Sequence, residues 1–92
     1  QQSLAIDREI GDRQGESISL ASLGTTYLAL KQYQRAIEFF QRSLTLAREV
    51  GDRQGEGIVL NNLGGTYLAS GNAVAAEAPL SEAIQVYESL RP

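Results

Sequence analysis

Apolar residues recur along this chain at spacings of three and four, the period of an α-helix with one buried face. In residues 17–30, Leu20, Leu23, Gly24 and Tyr27 stand at i, i+3, i+4 and i+7. In residues 34–50, Ala36, Ile37, Phe40, Leu44 and Ala47 mark a second such face. Both patterns return further on, as Leu60, Leu63, Gly64 and Tyr67, and as Ala76, Leu80, Ala83 or Ile84, and Tyr87. No stretch alternates with period two for long enough to make a strand. The pattern predicts an all-α chain.

An internal repeat underlies that return. Shifting the sequence by forty positions lays Gly-Asp-Arg-Gln-Gly-Glu at 11–16 onto its copy at 51–56, and residues 1–10 onto 41–50. Twenty of the fifty-two aligned positions are identical, far more than composition alone would give, so the units descend from one pattern. The breakers lie between the apolar faces. Gly11 and Gly51 suit the left-handed position that closes a helix, and Asp12 and Asp52 suit the cap that opens the next. Lys31-Gln32 and Gly71-Asn72 mark turns inside the units. Five helical segments are predicted, near 1–10, 13–30, 34–50, 53–70 and 73–90. Gly15 and Gly55 allow the second and fourth to start later, at Glu16 and Glu56. Residues 1–10 then form the second helix of a truncated repeat, ahead of repeats at 11–50 and 51–92. Pro79 falls inside the last segment, where a kink near 75–79 is expected. Gly24 and Gly64, at one register of each unit, predict a close helix crossing against Ala36 and Ala76.

Composition removes most chemistry. The chain has no Cys and no His, so it lacks thiolate nucleophiles, disulfides and the commonest general base and metal ligand. Eight basic residues against eleven acidic ones leave a net charge of −3, which disfavours nucleic acid and anionic membrane as partners. No apolar run is long enough to span a bilayer and no leader-like segment opens the chain, so a cytoplasmic location is expected. The first residue is Gln1, which suggests a fragment or a processed product. The pairs Asp12/Glu16 and Asp52/Glu56 share the i, i+4 spacing of a carboxylate dyad. Their recurrence with the repeat favours a cap and a first-turn charge at a helix N-terminus instead. Gly64-Gly65 lies inside a helical pattern, without the strand and loop of a phosphate cradle. Tyr33, Phe39 and Phe40 read as core residues, since no basic stripe accompanies them. No enzyme, metal or cofactor is expected.

The register of Leu20, Leu23, Gly24, Tyr27, Ala36 and Phe40, repeated as Leu60, Leu63, Gly64, Tyr67, Ala76 and Leu80, resembles the tetratricopeptide-repeat family. Leu replaces the family's usual Trp, Leu80 an aromatic, and Ser43 an alanine. The forty-residue period looks like a long-helix variety of that family. The resemblance implies a right-handed solenoid of helical hairpins, without catalysis, whose first helices line an inner surface that holds a protein or peptide. On that surface it points to Ala21, Ser22 and Thr25, and to Asn61, Asn62 and Gly65. Asn62 brings an amide able to both donate to and accept from a peptide backbone. The basic side chains by which some relatives clamp a carboxyl terminus are missing from these positions. A second reading is self-assembly, as a dimer formed by end-to-end stacking or by helix exchange about the Gly51–Gly55 linker.

Overall fold

The computed structural model of the chain describes the backbone of residues 2–92 and the side chains of residues 9–92. It contains four helices: α1 (Gln2–Ala29), α2 (Tyr33–Val50), α3 (Arg53–Ala69) and α4 (Ala73–Ser89). No strand occurs among the described residues. α1 packs on α2 and α3 on α4, two helical hairpins joined through α2 against α3. The result is a plate of 50 × 32 × 15 Å, one layer of hairpins rather than a bundle around a central core.

The turns form where the breakers predicted them, through one repeated geometry. After α1, α2 and α3 a residue turns left-handed: Lys31 at φ 61, Gly51 at φ 73 and Gly71 at φ 86. Each end carries the paired backbone bonds that satisfy the last carbonyls of a helix, such as Gly51 N–H to Arg48 O at 3.2 Å and Asp52 N–H to Ala47 O at 2.9 Å. Asp52 then caps α3, accepting from Gly55 N–H at 3.0 Å, and Asn72 caps α4, accepting from Ala75 N–H at 3.1 Å.

One expected break is absent. Gly11 and Asp12 lie within α1, so the segments predicted at 1–10 and 13–30 are one continuous helix of 28 residues. Gly11 is helical here, and Asp12 lies in the helix interior, where it caps no N-terminus. The expected separation of 1–10 from the next helix is thus corrected to a single element. Whether Leu4 and Ile6 are covered lies outside the described side chains. α4 runs without interruption through Pro79. A proline costs a helix one backbone bond, and Ala76, Ala83 and Val86 bury enough apolar surface to carry the helix past it.

The core lies in two pockets of packing. Ala36, Ile37 and Phe40 of α2 meet Val59 and Leu63 of α3, and Leu60 meets Ala83 and Val86 of α4. Leu44 touches both clusters and stitches the hairpins together. The repeated glycines do mark close crossings, but one turn further along the partner than the alanines predicted. A Cβ on Gly24 would lie 2.7 Å from Phe40 Cε1, and one on Gly64 would strike the Leu80 side chain. Of the signature residues, Leu20, Phe40, Leu60, Leu63, Ala36 and Ala76 are buried, and Tyr27, Tyr67 and Leu80 half-buried. Leu23 is exposed.

Candidate functional site

α1 and α3 run in the same direction over the second helices, and a groove of about 310 Å³ opens between them. Its α1 wall is Ser17, Ile18, Ala21, Ser22 and Thr25; its α3 wall is Gly55, Ile58, Val59 and Asn62, with Ser43 at the floor and Asp52 at one end. Helical spacing explains the walls, because 18, 21, 22 and 25 share one face of α1 just as 55, 58, 59 and 62 share one of α3.

The floor is fixed by a reciprocal hydrogen-bond pair. Ser43 Oγ donates to Ser17 O at 2.7 Å, and Ser17 Oγ to Ser43 O at 2.9 Å, with both hydroxyls buried. Ser43, a departure from the family's alanine, is here matched by Ser17, so each buried hydroxyl has a partner. Asp52 is held at its end by the cap to Gly55 and by Gln14 Nε2, which donates at 3.3 Å. No Lys or Arg lines the groove. Its character is therefore apolar walls, supplied above all by the exposed Ile18 (62%) and Ile58 (47%), with hydroxyl and amide groups between them. Thr25 Oγ1 is turned to Ala21 O in its own helix at 3.1 Å. Among the described residues Asn62 takes part through its backbone carbonyl, which accepts from Thr66 Oγ1 at 2.7 Å, and its side-chain amide makes no hydrogen bond.

Of the residues singled out from the sequence, the groove brings together Ala21, Ser22, Thr25 and Asn62. Asn61 and Gly65 are exposed and lie outside it. They are the counterparts of Ala21 and Thr25 one repeat later, and so belong to the flank of α3 that faces away from α1. Sequence reasoning passed over Ser17, Ser43, Asp52, Gly55 and Val59 as lining residues. The pairing of two serines across helices leaves no periodic signal, and Asp52 was read as a cap, which it also is.

Elsewhere, carboxylates enter ion pairs between and within helices. Glu56, nearly buried, is bonded by Arg53 at 3.1 Å and Arg48 at 3.3 Å, and Arg48 reaches on to Glu82 at 2.9 Å. Tyr27 stacks on Phe39 with ring centroids 5.3 Å apart, flanked by Arg35 and Arg42. Among the described residues no cluster of three His, Cys, Asp or Glu could hold a metal ion. Nor is any helix among them long and apolar enough to cross a membrane.

Paired helices stacked in one layer, with an apolar groove between the first helices, define a helical-hairpin repeat protein. The tetratricopeptide-repeat family model matches residues 1–49 and again 19–89, and the chain belongs to that family. No curated protein matches the chain closely enough to count as a relative. Membership supports a non-enzymatic, protein-binding scaffold. The narrower reading of a long-helix variety is corrected: α2, α3 and α4 have 18, 17 and 17 residues. The forty-residue period is met by two ordinary helices and their turns, and α1 is longer only because it runs through residues 11–12.

Proposed function

We propose that the chain binds a peptide segment of a partner protein in the groove between α1 and α3. The observation that carries this is the pair of exposed isoleucines, Ile18 and Ile58, facing one channel beside an uncommitted amide at Asn62. Exposed apolar side chains gathered in a groove mark an interaction surface, and a free amide supplies the hydrogen bonds that set a backbone in register. Ala21 leaves room at the α1 wall, and Ser22 and Thr25 add hydroxyl contacts. Asn61 and Gly65, exposed on the flank of α3 that faces away from α1, would meet a ligand only where it runs on past the groove. The groove has no cation, so its ligand is an apolar segment and not an acidic tail. Asp52 at one end favours a ligand that places a basic or amide donor there.

Selection from a displayed peptide library, followed by titration of an enriched peptide, tests the assignment. Asn62→Ala is expected to weaken binding by roughly two- to tenfold, the worth of one or two hydrogen bonds, and to leave the melting temperature unchanged. Ile58→Asp, at an exposed position, is expected to abolish binding. Full binding by both variants would place the ligand elsewhere.

A further inference from the structure

One hexapeptide takes two shapes in this chain. At 51–56, Gly-Asp-Arg-Gln-Gly-Glu makes a turn, with Gly51 left-handed and Asp52 capping α3. At 11–16 the same letters are helix throughout. The turn lets α2 lie back along α3, where Arg48 bonds Glu56 at 3.3 Å and Leu44 packs against both core clusters. The straight copy carries residues 2–10 away from the matching face of α1, and that face stays open. Glu56, Leu63 and Thr66 are buried on α3, whereas their counterparts Glu16, Leu23 and Thr26 are exposed on α1. Leu23 is 43% exposed against 4% for Leu63.

Charge and register say what fits the open face. Residues 1–10 repeat 41–50, with Leu4 standing for Leu44 and Arg8 for Arg48. Laid where α2 lies on α3, this segment sets Arg8 against Glu16. Within residues 1–92 the other segment of matching register is α4 of a further copy, which offers Ile84 for Leu44 but Glu88 for Arg48. That arrangement opposes two carboxylates. Opposite charges select the first arrangement and like charges suppress the second. Because residues 2–10 continue straight out of α1, they do not fold back onto this face of their own helix, and the same segment of a second molecule can reach it.

We infer that two chains associate by exchanging their N-terminal segments. Residues 2–10 of each lie antiparallel along α1 of the other, and residues 11–16 are the straightened hinge. In that register position 8 of each chain pairs with position 16 of the other, so the contact closes on itself about a twofold axis near residue 12. This surface is separate from the peptide groove, since Leu23 lies about 140° around α1 from Ile18.

Disulfide trapping tests the exchange, because the chain has no cysteine of its own. Residues 8 and 16 of one straight helix are about 12 Å apart, too far for a disulfide. In the exchanged dimer Arg8→Cys/Glu16→Cys is therefore expected to give a covalent dimer on a non-reducing gel. The unmodified sequence should sediment at about twice 10.0 kDa. Arg13→Pro suits the first position after a cap and not a helix interior. It is expected to close the hinge, restore a mass of 10.0 kDa and move the trapped bridge inside one chain. Leu23→Glu, at an exposed site, is expected to weaken association at least tenfold with an unchanged circular dichroism spectrum. Three results would each overturn the inference. These are a monomeric parent, an intrachain bridge formed without the proline, and oligomers that persist in Arg13→Pro, which would point to stacking through α4.

Discussion

A single methyl group has opposite consequences at two glycines of equal helical standing. At Gly24 it meets the Phe40 ring at 2.7 and 2.8 Å, and Phe40 is fully buried. Gly24→Ala is expected to destabilise by about 1–3 kcal/mol, the usual range for overpacking. At Gly65 the same methyl meets nothing within 4 Å. Gly65→Ala is expected to stabilise by about 0.5–1 kcal/mol, since alanine loses less backbone entropy in a helix. Urea melts of the two variants should shift in opposite directions; a shared direction would mean that helix propensity, not packing, governs both. The sequence pattern disclosed that Gly24 and Gly64 sit at crossings, because their register repeats. It could not disclose that Phe40 and Leu80 are what they cross, since register on one helix says nothing of where its partner lies. The Ser17–Ser43 pair was hidden for the same reason. Two hydroxyls that satisfy each other across helices are, along the chain, one serine in an alanine's place and another with no signal of its own.

At the scale of the element, turns were legible wherever packing agreed with local chemistry. Gly51 and Gly71 turn left-handed as glycine readily does, and Lys31 adopts the same conformation at φ 61 without that freedom. Left-handed backbone costs a residue with a Cβ about 1 kcal/mol. Lys31→Gly is therefore expected to raise stability by about 0.5–1 kcal/mol and Gly51→Ala to lower it by a similar amount, both measurable in thermal melts. The hexapeptide at 11–16 shows where legibility ends. Its six residues are those of 51–56, so no local propensity separates helix from turn. The difference is made by what lies on either side. At 51–56 the turn is secured because Leu44 and Arg48 before it dock on Leu60 and Glu56 after it, and the helix dipole, the cap and the ion pair act together. The boundary of an element is thus set by tertiary contact, and the repeat alignment alone overpredicts turns.

At the scale of the molecule, nearly all communication between the hairpins passes through α2 against α3, because α1 barely touches α3. Glu56 is the polar centre of that joint. Its carboxylate, about 10% exposed, is bonded by Arg48 from α2 and Arg53 from its own first turn. Arg48 passes the connection to Glu82 of α4. Glu82 is half-exposed, and an ion pair in that setting contributes little. Glu56 makes two charge-assisted bonds from a nearly buried position, where loss of a partner is felt more strongly. Both arginines are nearly half-exposed and rehydrate when it is removed, which limits the loss. Glu56→Ala is expected to cost about 1–2 kcal/mol, and Glu82→Ala less than about 0.5 kcal/mol. In a stack whose units contact only their neighbours, weakening the joint also loosens the coupling between units. Amide hydrogen exchange checks this. In the parent, the centres of α2 and α3 should open together, with one free energy. In Glu56→Ala the α1–α2 hairpin is expected to open separately from α3–α4, while in Glu82→Ala the two remain coupled. If Glu56→Ala instead lowers protection evenly along all four helices, Glu56 merely adds stability and the hairpins are coupled through the apolar contacts of Leu44, Val59 and Leu63.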